Sequence, residues 1–119
     1  MDYIDLKTDT RLIEEVILEE ILNEDMFVLR KLLTQKALKT AIEYRHDMWE
    51  CSKKMITRKD KYKCKIKFLS KIINNLSIAI QGLKKKKRSA MGTINKLQRQ
   101  VDKDIDRKNF YNKKLSKEI

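Results

Sequence analysis

The sequence predicts an all-α protein, and three observations carry that expectation. The chain has no proline and only two glycines in 119 residues, too few turn formers for a sandwich, a barrel or a Gly-loop enzyme. Its most regular apolar series, Tyr62, Ile66, Leu69, Ile73, Leu76, Ile80 and Leu83, advances in alternating steps of four and three, the spacing of a heptad seam. The one stretch that alternates like a strand, from Lys61 to Phe68, has no second strand to satisfy its backbone, and the seam runs through it. Three to four long amphipathic helices are therefore expected, as a helical bundle or a coiled-coil hairpin completed by self-association or a partner.

Charge divides the chain, which by length is a single domain. Residues 1–25 carry nine acids and two bases, and residues 26–119 carry 27 bases and eight acids. The first part reads as an acidic amphipathic helix. Asp9 or Thr10 is placed to cap it, and Glu14 and Glu15 fall in the first turn, where negative charge complements the helix dipole. Leu12, Ile13, Val16, Ile17, Ile21 and Leu22 share its apolar face, with the glutamates opposite, and Asn23-Glu24-Asp25 reads as a break or kink. From Met26 the apolar positions 26, 29, 33, 37, 41, 44, 48, 51 and 55 describe a helix of roughly thirty residues, well above the usual mean of about twelve. Its two successive steps of four, at 33–37–41, mark a phase slip. Tyr44, Met48 and Trp49 gather its bulk, with Trp49 as a core or interface anchor.

The seam from Tyr62 to Leu83 makes the next helix, expected to end near Gly82. The run Lys84-Lys85-Lys86-Lys87-Arg88 would wrap the whole circumference of a helix, so it is read as a connection. Thr93 then caps a last helix with Ile94, Leu97, Val101, Ile105, Tyr111 and Leu115 on its seam. A rival reading keeps one rod over residues 60–117, about 85 Å long, because Ala90, Ile94, Leu97 and Val101 hold the phase of the preceding seam.

Chemistry is sparse. Cys51 and Cys64 form neither a secreted-type framework nor a zinc motif, and are read as small residues on or near helix faces, consistent with a reducing compartment. His46 is the only histidine and has no nucleophile or ligand set beside it. Asp102, Asp104 and Asp106 lack the glycine and loop of a cation site and are read as surface charges pairing with Arg99, Lys103 and Arg107. No phosphate-loop, dinucleotide or nucleophile-elbow motif occurs. No enzyme, cofactor or metal is expected. The acidic N-terminus resembles neither a signal nor a transit peptide, and no window is apolar enough to span a membrane, so the expected location is intracellular: cytoplasmic, or nuclear in a eukaryotic or viral setting.

The formal charge of +12 points to an acidic partner. With 22 lysines against seven arginines, contacts to phosphate rather than base readout are expected. The candidate nucleic-acid-binding residues are Lys53, Lys54, Arg58, Lys59, Lys61, Lys63, Lys65, Lys67 and Lys71, with Lys84, Lys85, Lys86, Lys87 and Arg88 as a second patch. The candidate interface residues are the seam itself, Tyr62, Ile66, Leu69, Ile73, Leu76, Ile80 and Leu83. The leading expectation is a non-enzymatic protein binding nucleic acid or a ribonucleoprotein through these lysines. The alternative is a coiled-coil assembly subunit, adaptor or inhibitor that binds an acidic protein.

Overall fold

The computed structural model describes residues 12–22, 28–84 and 91–117. Among these residues there are four helices: α1 (Ile13–Leu22), α2 (Val28–Lys54), α3 (Arg58–Lys84) and α4 (Met91–Lys117). The expected break at Asn23–Asp25 and the cations Lys85, Lys86, Lys87 and Arg88 lie outside the described residues.

The helices form an up-down-up-down bundle. Cys51 meets Cys64 and Thr34 meets Gly82, so α2 and α3 are antiparallel. Tyr62 stacks on Tyr111 with ring centroids 5.6 Å apart, so α3 and α4 are antiparallel too. The hairpin is thus realised and the single rod is not. The phase kept across the connection arises because both seams face one core. Helix α1 closes the ring between α2 and α4, through Glu14 to Arg45 and through Glu20 to Thr93 and Lys96.

Of the central seam, Leu69, Leu76, Ile80 and Leu83 are buried within the chain, while Tyr62, Ile66 and Ile73 are half-buried. Ile17 and Ile21 of α1, Leu38 and Ala41 of α2, and Ile94, Leu97 and Val101 of α4 complete the core. On α2 the burial line passes through Thr34, Ala37, Leu38, Ala41, Arg45 and Met48. The expected seam members Leu29 and Leu33 are instead exposed. The double step of four is where this happens: the line shifts one residue onward, and the positions before it rotate out to solvent. Trp49, read as an anchor, is 60% exposed.

Local chemistry sets the helix ends. Thr57 caps α3, its Oγ1 accepting from the Asp60 amide at 3.1 Å. Lys53 and Lys54 in the last turn of α2 suit its negative dipole end, and Lys61 Nζ donates to the Ser52 carbonyl at 2.9 Å. Gly82 does not stop α3, which runs on to Lys84. It is a close-packing residue, since a Cβ there would run into Thr34 Oγ1. Helix α4 begins at Met91, so Thr93 is not its cap. The Thr93 hydroxyl donates to Glu20 instead.

Two features depart from the sequence reading most. Cys51 and Cys64 are joined in a disulfide, with Cα atoms 5.9 Å apart. The short connection at 55–57 lays the last turn of α2 against the second turn of α3, so the two thiols face each other. The cysteine argument for a reducing compartment therefore falls away. The second feature is a buried charge cluster. Arg45 Nε and Nη2 donate to Glu14 Oε1, and its Nη1 and Nη2 donate to Asp104 Oδ1 and Oδ2 at 3.2 and 2.8 Å. Gln100 Nε2 adds a donor to Asp104 Oδ1 at 3.2 Å. Glu14 and Asp104 are fully buried and Arg45 nearly so. Asp104 is thus not a surface charge, and Glu14 sits on the buried face of its helix. Burial by itself pushes the Arg45 guanidinium down. Its hydrogen bonds to Asp104 and Glu14, with their charges, outweigh this and hold it above an ordinary guanidinium. Glu14 Oε2 keeps no hydrogen-bond partner among the described residues.

Candidate nucleic-acid interface

Helix α3 carries eight bases and one acid, Asp60. Its buried residues leave Lys63, Lys67 and Lys71 on the opposite, solvent-facing side, one turn apart and spanning about 12 Å of helix axis. No acid lies on that line, and among the described residues none of the three is in an ion pair. Aromatic rings support two of them: Lys67 Nζ lies 5.6 Å from the Phe68 centroid, and Lys71 Nζ lies 5.2 Å from Tyr44 and 5.5 Å from Phe68.

The elbow joining α2 to α3 adds Lys53, Lys54, Arg58 and Lys59, all exposed. Lys53 approaches Glu50 at 3.7 Å, a solvent-exposed contact of little weight. Lys61 and Lys65 differ from the rest. Both are half-buried, Lys61 on the Ser52 carbonyl and Lys65 on the Tyr111 hydroxyl at 3.3 Å with its ammonium 4.9 Å from that ring. They tie the elbow and α4 together. Lys84 is exposed but lies at the other end of α3, about 39 Å along the axis from Arg58. Lys84 therefore does not share a surface with the elbow cations, and the rest of the second patch lies outside the described residues.

Folding adds cations that sequence spacing left out. The antiparallel pairing of Tyr62 with Tyr111 brings the end of α4 to the elbow, with Lys113, Lys114 and Lys117. Along the outer side of α4, Arg99, Lys103, Arg107, Phe110, Lys114 and Lys117 are all exposed and recur at helical spacing over about 27 Å. The expected pairing of these cations with Asp102, Asp104 and Asp106 does not occur among the described residues. Asp104 points inward to Arg45, and Asp102 accepts from Gln98 on a neighbouring line. Two exposed carboxylates, Asp102 and Asp106, still flank the row one turn on from Arg99 and Lys103, but against its five cations the row stays net basic.

Among the described residues no cluster of His, Cys, Asp or Glu could hold a metal ion, and no helix is long and apolar enough to cross a membrane. His46 is exposed and shares a shallow cavity with Leu12, Arg45 and Trp49. Compared with known proteins, the chain matches no family model, no curated protein and no solved structure.

Proposed function

We propose that this chain is a non-enzymatic protein that binds nucleic acid or a ribonucleoprotein through phosphate contacts. The observation that carries this reading is the acid-free row Lys63, Lys67 and Lys71, unpaired among the described residues and continued at one end by the elbow cations. A folded protein gains little stability from segregating like charges this way, whereas a polyanion gains contact with every ammonium at once. Along one strand of a duplex, phosphates recur about every 3.4 Å of axis, so a 12 Å row meets about three of them. Lysine contacts of this kind give affinity with little base preference.

The test is a salt titration of binding to a short labelled duplex, with wild type beside Lys63→Gln/Lys67→Gln/Lys71→Gln. Wild type should bind at low salt, with log K falling linearly in log salt. The triple variant should bind more weakly, with a slope shallower by about 2.7, or about 0.9 per lost contact. Equal slopes for the two proteins would refute the assignment of this row. All three side chains are exposed, so circular dichroism should find the variant folded.

A second reading rests on a different observation. Val28, Leu29, Leu32 and Leu33 of α2 are exposed together, with Ile78 of α3 beside Leu33. A contiguous apolar patch of this kind marks an association surface, as in the coiled-coil or adaptor alternative. Light scattering tests it: a concentration-dependent mass that Leu29→Gln/Leu33→Gln abolishes supports it, and a monomer at all concentrations counts against it.

A further inference from the structure

Phe110 stands in the middle of the cationic row on α4, 54% exposed, between Arg107 and Lys114. Single exposed apolar side chains are ordinary. Phe110 is set apart by its neighbours. Lys114 Nζ lies over its ring 5.4 Å from the centroid, Tyr111 packs edge-to-face with it at 5.4 Å, and about half of the side chain stays exposed. Tyr111 is in turn stacked on Tyr62 and accepts from Lys65, which anchors the cluster to α3. An aromatic ring held by a buttress among phosphate-binding cations is what recognition of an unpaired base needs: the base stacks on the exposed ring while flanking cations hold the adjacent phosphates. A duplex hides its base faces and offers such a ring nothing.

We infer that the α4 row is a single-strand site, in which Phe110 stacks one base and Arg107 and Lys114 hold the phosphates on either side. This rests on the polyanion reading above and adds to it a site for single-stranded nucleic acid. It also gives the C-terminal helix a role separate from the lysine row of α3.

The experiment uses the full chain and fluorescence anisotropy. The probe is a labelled oligodeoxythymidine of about 12 nucleotides, with a duplex of equal length and inorganic polyphosphate as comparison ligands. Phe110→Ala should weaken single-strand binding about ten-fold or more and leave duplex and polyphosphate binding unchanged. Phe110→Trp should restore or tighten single-strand binding. Because the side chain is largely exposed, the thermal midpoint of Phe110→Ala should stay at the wild-type value. Equal effects of Phe110→Ala on all three ligands, or no effect on any, would overturn the stacking role while leaving phosphate binding intact. Failure of wild type to bind any of the three at low salt would overturn the polyanion reading, and this inference with it.

Discussion

Replacing Arg45 by methionine should be among the most damaging single changes available to this chain. The side chain is buried, and four of its hydrogen bonds run to two carboxylates that are themselves fully buried. Removing the guanidinium leaves Glu14 and Asp104 without their counter-charge in the interior. Breaking a buried ion pair in this way costs about 3–5 kcal/mol, against a total stability of about 5–15 kcal/mol for a typical domain. At this size about 1 kcal/mol shifts the midpoint by about 3–6 °C, so a fall of about 10–25 °C is expected. The assay is run near neutral pH. Because the folded state raises the Arg45 pKa, its contribution is complete below the unfolded value and fades only as pH rises through the folded one, far above neutrality. Urea denaturation followed by far-ultraviolet circular dichroism gives the free energy, and Trp49, around the same cavity as Arg45 and Leu12, gives a local fluorescence readout. The companion variant Glu14→Leu/Arg45→Met/Asp104→Leu removes the whole cluster and should recover most of the loss, because an apolar replacement of a buried ionic triad is often neutral or stabilising. A loss below about 1 kcal/mol in Arg45→Met, or a triple variant no better than the single one, would refute the reasoning.

Other outcomes follow from the same packing. Reducing the Cys51–Cys64 disulfide, or replacing both residues by serine, should lower stability by about 2–3 kcal/mol through the freed loop; thermal melts with and without a thiol reductant measure it, and the serine variant should ignore the reductant. Gly82→Ala should destabilise by about 1–3 kcal/mol, because its Cβ meets Thr34 Oγ1 and a β-branched side chain has little room to turn away, and Thr34→Ala should rescue it. Gly92→Ala meets nothing within 4 Å in the first turn of α4, so it should stabilise by about 0.5–1 kcal/mol in the same urea assay.

The helices were legible because the sequence repeats its apolar residues at heptad spacing, and because a chain without proline has little else to form. What escaped were positions where a charge occupies a core site. On α4 the line actually buried or half-buried is 94, 97, 101, 104, 108, 111 and 115, a strict alternation of three and four. Following hydrophobicity alone selects Ile105, which is 39% exposed, over Asp104, which is fully buried. On α2 the same habit selects Tyr44 over Arg45. A charge on one helix reads as solvent-facing until its counter-charges on two other helices are known, and those lie 31 and 59 residues away. The disulfide escaped because its geometry depends on a connection only a few residues long. The α3 lysines could be read directly from spacing. The α4 row could not, since Arg99, Lys103 and Arg107 are interleaved with three aspartates, and only the fold shows that Asp104 turns inward, leaving Asp102 and Asp106 against five exposed cations.

The Glu14–Arg45–Asp104 cluster also bears on how the chain finds its alignment. Heptad seams of leucine, isoleucine and alanine look much the same one turn up or down, so apolar contacts alone discriminate weakly between the native bundle and one slid by about 5.4 Å. Such a slide would set the Arg45 guanidinium against hydrocarbon and leave two carboxylates stranded. Contributed by three different helices, the cluster forms only when α1, α2 and α4 are all at the same height. Helix α1, at ten residues, is too short to persist alone in water. Its helicity therefore depends on docking against α2 and α4, and the cluster ties it to both at a single height.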